Sequence, residues 1–108
     1  MRLVIIESPY AGDIHGNTQY ARQCVRDSLA RGEAPIASHL LYTQPGILRD
    51  EVPHERQWGI EAGLAWRVKA DASVVYTDRG ITKGMKYGIK AAEDAGVPVE
   101  YRTLLDSI

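Results

Sequence analysis

Leu3-Val4-Ile5-Ile6-Glu7, followed by Ser8-Pro9-Tyr10-Ala11-Gly12-Asp13, is the stretch on which the fold turns. The first five residues are a short, largely β-branched apolar run bounded by turn formers, the pattern of a strand buried on both faces. The next six are rich in residues that bend a chain. A helix is expected over residues 18–30, with Asn17 as its N-cap and Ala21, Cys24, Val25, Ser28 and Leu29 on one face. Gly32 stands where a C-terminal cap glycine belongs.

The same alternation continues. A second strand is expected over residues 34–38, then an irregular stretch over 39–51. Pro53 opens a helix predicted to run to residue 69, since its missing N–H costs nothing in a first turn. That helix mixes Gly59, Ala62, Gly63 and Ala65 with Trp58, Ile60, Leu64 and Trp66, which points to close packing against a neighbour. Ala72-Ser73-Val74-Val75-Tyr76 reads as a third strand, Thr82 caps a helix over 83–95 with Met85, Ile89 and Ala92 as its apolar stripe, and a fourth strand follows over 97–101. The order βαβαβαβ with right-handed crossovers predicts an α/β, three-layer Rossmann-like or flavodoxin-like domain, with a parallel sheet of about four strands in the order 2-1-3-4. One domain is expected over residues 1–108.

Composition narrows the function. The 108 residues carry a net charge of −1, with 44% hydrophobic and 25% charged residues, as in an ordinary globule. A nucleic-acid partner is not expected, because neither a basic excess nor a basic stripe is visible. No apolar run reaches membrane-spanning length, and the chain enters its first strand at once, so neither a membrane partner nor a signal peptide is expected and the cytoplasm is the simplest location. The single cysteine, Cys24, excludes an internal disulfide and falls on an apolar stripe, where it reads as core. The histidines, at positions 15, 39 and 54, show no metal-binding spacing, so no metal and no cofactor are expected. His15 and His54 read as solvated. A phosphate loop, GxGxxG and the GxSxG nucleophile elbow are all missing.

In an open parallel sheet, ligands lie beyond the carboxyl ends of the strands. That rule selects three polar, glycine-containing loops. It makes Ser8, Tyr10, Asn17, His39, Asp78, Gly84 and Met85 the candidate ligand-binding residues. Tyr10 suits stacking on a base, Asp78 suits sugar hydroxyls, and the amides near Gly84 suit phosphate.

At these loops the sequence resembles the nucleoside 2-deoxyribosyltransferase superfamily, in particular its small phage and bacterial branch. The resemblance rests on Ile6-Glu7-Ser8-Pro9-Tyr10-Ala11-Gly12, Pro35-Ile36-Ala37-Ser38-His39, the Ala70-Asp71 pair opening the third strand, and the Gly84 helix followed by Gly96-Val97-Pro98-Val99. It implies a pocket for a nucleoside or nucleotide. In the superfamily's enzymes a glutamate in a Gly-x-x-x-Glu-[Ile/Leu]-Gly pattern attacks the anomeric carbon. The matching position here is Gly88, and Glu93 lies about 140° further round the helix.

The resemblance therefore implies non-catalytic binding, or sequestration, of a nucleotide, nucleoside or ADP-ribose-like molecule, which in a phage protein would suit opposition to nucleotide-based host defence. One alternative is an N-glycosidase or glycosyltransferase using another carboxylate, with Asp78, Glu55 and Asp13 as candidates. Another is a structural or protein-interaction module. A homodimer or higher homo-oligomer is expected through the helix over 53–69, using Trp58 or Trp66.

Overall fold

The computed structural model describes residues 1–104; residues 105–108, the end of the domain expected over 1–108, lie outside the described residues. Its elements are β1 (Leu3–Glu7), α1 (Ile14–Ala30), β2 (Ala34–Ile36), α2 (Ser38–Leu41), α3 (Pro53–Arg67), β3 (Ala72–Tyr76), α4 (Lys83–Asp94) and β4 (Val99–Arg102). The strands form one sheet in the order β2-β1-β3-β4. Every pairing is parallel, with Val4 beside Pro35 on one side and Ala72 on the other, and Ser73 beside Val99. The fold is thus the α/β architecture expected, with the chain's first strand inside the sheet.

Strand alternation divides the core into two layers. Val4, Ile6, Ala72, Val74 and Tyr76 pack with Tyr20 and Cys24 of α1. On the opposite face Val75 packs with Met85 and Ile89 of α4. β1 and β3 are nearly continuous apolar runs because both of their faces are covered.

Charged groups complete the packing around Tyr76. The Tyr76 hydroxyl donates to Asp27 Oδ2 at 2.6 Å, and the Arg102 guanidinium lies over its ring at 5.6 Å. Arg102 forks onto Glu33 at 2.8 and 3.1 Å, and Glu33 also accepts from Ser28 and Arg2. These donors, Arg102 foremost, hold the Glu33 carboxyl down at about 2.

Several local expectations are corrected. α1 begins four residues early: Asp13, not Asn17, is its N-cap and accepts from the Gly16 amide at 3.1 Å. Leu29 is 54% exposed, so the buried face of α1 stops at Ser28. β2 ends at Ile36 because α2 starts two residues later, inside what reads as an irregular stretch. α3 stops at Arg67, and β4 spans Val99–Arg102, with the Pro98 carbonyl just before it accepting from the Ser73 amide at 2.9 Å. One sheet edge is formed by β2, where Ala34 donates inward to the Arg2 carbonyl and Pro35, next along, faces outward.

Candidate functional site

β1 ends by placing a glutamate and then a serine at the carboxyl edge of the sheet. Glu7 is 4% exposed, and its neighbours explain how a carboxylate is tolerated there. Arg67, in the last turn of α3, donates from Nε to Glu7 Oε2 at 2.8 Å. Both side chains are largely withdrawn from solvent, at 11% exposure for Arg67 and 5% for Glu7. Burial pushes the Glu7 carboxyl above its usual value, and Arg67 opposes that shift. Only one edge of each group is used. Glu7 Oε1 and the two Nη groups of Arg67 make no hydrogen bond among the described residues.

Two glycines make room for this pair. A Cβ on Gly88 of α4 would collide with the Glu7 carboxylate, its carboxyl carbon lying 2.8 Å away. A Cβ on Gly63 of α3 would meet Ser38 Oγ at 2.8 Å and Arg67 Nη1 at 2.9 Å. The small residues of α3 and α4 therefore serve a charged pair seated between helices and sheet.

Ser8 and His39 stand beside it. Ser8 Oγ and His39 Nε2 are 2.7 Å apart, joining the loop after β1 to α2. Burial first, and the positive charge of Arg67 second, lower the His39 imidazole to about 4. That shift keeps the imidazole in its neutral form at physiological pH. What the cluster presents is a hydroxyl, a neutral ring, a carboxylate oxygen and guanidinium N–H groups: a set suited to reading hydroxyls and polar edges of a small molecule.

The other residues singled out from the sequence have local partners outside this cluster. Asn17 is buried inside α1 and donates to the Tyr10 and Ala11 carbonyls at 3.1 and 3.2 Å, fixing the loop that carries the half-buried Tyr10. Asp78 belongs to the α1 side of the sheet: it accepts from the Tyr20 hydroxyl at 2.6 Å and from the Leu104 amide at 3.0 Å. Burial, with the bond to Asp78 second, holds the Tyr20 hydroxyl protonated far above its usual range. Gly84 is exposed in the first turn of α4, and Met85 is buried behind it, its amide donating to the Thr82 hydroxyl at 3.3 Å.

Of the carboxylates weighed for catalysis, Glu55 accepts from the Arg49 amide and Asp13 caps α1 while pairing with Arg79 at 3.2 Å. The structure brings Ser8 and His39 together. It adds Glu7, Arg67, Ser38, Gly63 and Gly88, which sequence reading did not single out as a site together. A glutamate closing an otherwise apolar parallel strand was the available signal.

Among the described residues no group of three or more His, Cys, Asp and Glu side chains is placed to hold a metal ion. No helix among them is long and apolar enough to cross a membrane. Two shallow concavities lie apart from the Glu7–Arg67 cluster, one lined by Ile36, Leu40 and Leu41 and the other by Glu51, Pro53 and Arg56.

A family profile described as a domain of unknown function, DUF7768, matches residues 2–102. No curated protein matches the sequence. Among solved structures, a 2-deoxyribosyltransferase from Bacillus psychrosaccharolyticus superposes with a TM-score of 0.64 at 18% identity, over 92% of this chain and 70% of that one. The shared feature is the fold.

Proposed function

The chain belongs to the DUF7768 family, and from that premise we propose that it binds a nucleoside- or nucleotide-like small molecule over the carboxyl ends of β1 and β3. The fold in common with a 2-deoxyribosyltransferase supports the ligand class. The observation that carries the reading is the half-used Glu7–Arg67 pair. A buried carboxylate and guanidinium, seated where Gly63 and Gly88 give them space, keep Oε1 and both Nη groups unspent. Ser8 and neutral His39 extend the polar set. Of the other residues named from the sequence, Tyr10 and Gly84 are proposed ligand contacts, whereas Asn17 fixes the Tyr10 loop, Asp78 binds Tyr20 and Leu104, and Met85 packs in the core. Two features support binding without turnover. Position 88, where the resemblance expects a nucleophilic glutamate, is a glycine. The nearby carboxylate has its charge balanced by Arg67.

One observation favours a second reading, an N-glycosidase. The Glu7 carboxyl carbon lies 2.8 Å from where a residue-88 Cβ would be, close to the place a glutamate there would put its own carboxylate. In that reaction Glu7 Oε1 forms an ester bond to the anomeric carbon as the C–N bond breaks and the base leaves with its electron pair. Water then hydrolyses the ester, returning the carboxylate. This role replaces Asp78, Glu55 and Asp13, whose carboxylates are engaged elsewhere.

Calorimetric titration with a panel of nucleosides and nucleoside 5′-monophosphates, followed by chromatography for free base, tests both. The binding reading expects heat of binding, no free base, and weakened affinity in Glu7→Gln and Arg67→Gln. Release of free base that Glu7→Gln abolishes establishes the glycosidase instead. Absence of both binding and turnover across the panel overturns the proposal.

A further inference from the structure

The outer face of α3 carries five exposed residues at 4-3-4-3 spacing: His54, Trp58, Glu61, Ala65 and Val68, the last just past the helix end. At 100° per residue they fall within about 40° of a common direction, opposite the Gly59–Gly63–Arg67 side that faces the protein. Trp58 is 55% exposed and Val68 56%, so the stripe leaves apolar area in water. It is also ordered internally: the His54 ring meets Trp58 edge-on at 5.0 Å, and Glu61 accepts from Gln57 of its own helix at 3.3 Å. Trp66 lies off the stripe and donates to the Tyr42 hydroxyl at 2.9 Å.

We propose that this face pairs with a second copy of the same chain, the two α3 helices running antiparallel about a two-fold axis beside Glu61. The sequence of sizes along the stripe is self-complementary under that operation. Trp58 falls on Ala65 of the partner subunit, large on small, and His54 falls on Val68 of the partner subunit. The same contacts repeat across the axis, as an isologous interface requires. The charges at the two ends match as well, while the two Glu61 side chains meet beside the axis, each accepting from Gln57 of its own helix. Glu51, just before α3, and Lys69, just after it, make no ion pair among the described residues. Antiparallel pairing brings Lys69 alongside Glu51 of the partner subunit at both ends. A parallel pair would set Trp58 against Trp58 and Lys69 against Lys69, with neither complementarity. Arg67 projects from the opposite side of α3, so pairing leaves the Glu7 cluster open and stands independently of any ligand.

Sedimentation velocity of the chain over the micromolar range tests this. The expected result is a dimer, with Trp58→Lys and Ala65→Arg each raising the dissociation constant ~10-fold or more while circular dichroism and Tm stay close to those of the parent. Lys69→Glu weakens the dimer, and adding Glu51→Lys restores it. A monomer across that range overturns the proposal. So does a dimer that survives both Trp58→Lys and Ala65→Arg.

Discussion

Gly88 of α4 and Glu7 of β1 share one volume: a Cβ on residue 88 would lie 2.8 Å from the Glu7 carboxyl carbon. The carboxylate cannot swing clear freely, because Arg67 holds it. Gly88→Ala is therefore expected to cost about 1–3 kcal/mol through overpacking, read as a lowered urea midpoint. Gly88→Glu alone should cost more. Combined with Glu7→Ala, it supplies Arg67 with a carboxylate from α4, so the double variant should be more stable than the sum of the single costs allows. Additive costs would show that the two positions do not compete for one space.

Arg67→Met should be strongly damaging, since the Arg67 side chain is only 11% exposed. It leaves the Glu7 carboxylate buried with no partner, a loss of roughly 3–5 kcal/mol, or forces Glu7 to take up a proton. Because burial already raises Glu7, the variant's stability should fall as pH rises above the ordinary carboxylate range. Urea midpoints at several pH values report the slope and its sign.

The Glu33 network offers a contrast between buried and exposed ion pairs. Glu33→Gln removes charge opposite Arg102, whose side chain is 8% exposed, and is expected to cost about 3–5 kcal/mol. Arg2→Ala removes a partner that is 41% exposed and should cost under about 1 kcal/mol. Since Glu33 is lowered from 4.5 to about 2, its contribution is complete above the higher value and lost as pH falls through the lower one.

His39 sets a different pH window. Its folded form is lowered from 6.5 to about 4, so the folded protein binds fewer protons there than the unfolded chain. Stability from neutral His39 is complete above 6.5 and declines as pH falls toward 4. Scanning calorimetry should show Tm dropping on acidification from about pH 7 to 5, with a shallower slope in His39→Gln. An equal slope in both proteins would assign the drop to another group.

Cys24 is fully buried, and burial pushes its thiol up to about 12. Thiolate is the reactive form, so alkylation by iodoacetamide in native buffer should be slow and should follow global unfolding. Labelling that outpaces unfolding would reveal local opening of α1.

The architecture was legible because β1 and β3 are nearly continuous apolar runs and because Pro53, Thr82 and Gly96 punctuate the helices where they do. Boundaries were less so. Asp13 and Asn17 are both good caps by residue type, and only the loop carbonyls of Tyr10 and Ala11, which give Asn17 another use, decide between them. For the candidate site, the loop rule led to Ser8 and His39, whose bond requires no more than two strands ending together. It passed over Glu7 and Arg67, sixty positions apart, because a buried ion pair leaves no periodic trace. Gly88 was noticed for the side chain it lacks, whereas its role in the packing is to admit the side chain of another residue.

Pro35 has a consequence at the level of many molecules. β2 is an outer strand of only three residues, with its inward backbone engaged by β1 and the proline nitrogen turned to the open edge. A strand from another chain arriving there meets a carbonyl on each side but no amide hydrogen at the middle of the strand, so a ladder cannot propagate across it. The sheet is thereby guarded at that margin against end-to-end growth into fibrils. Exchanging this ring for valine would be expected to show first as turbidity in concentrated solution, before any change in the fold.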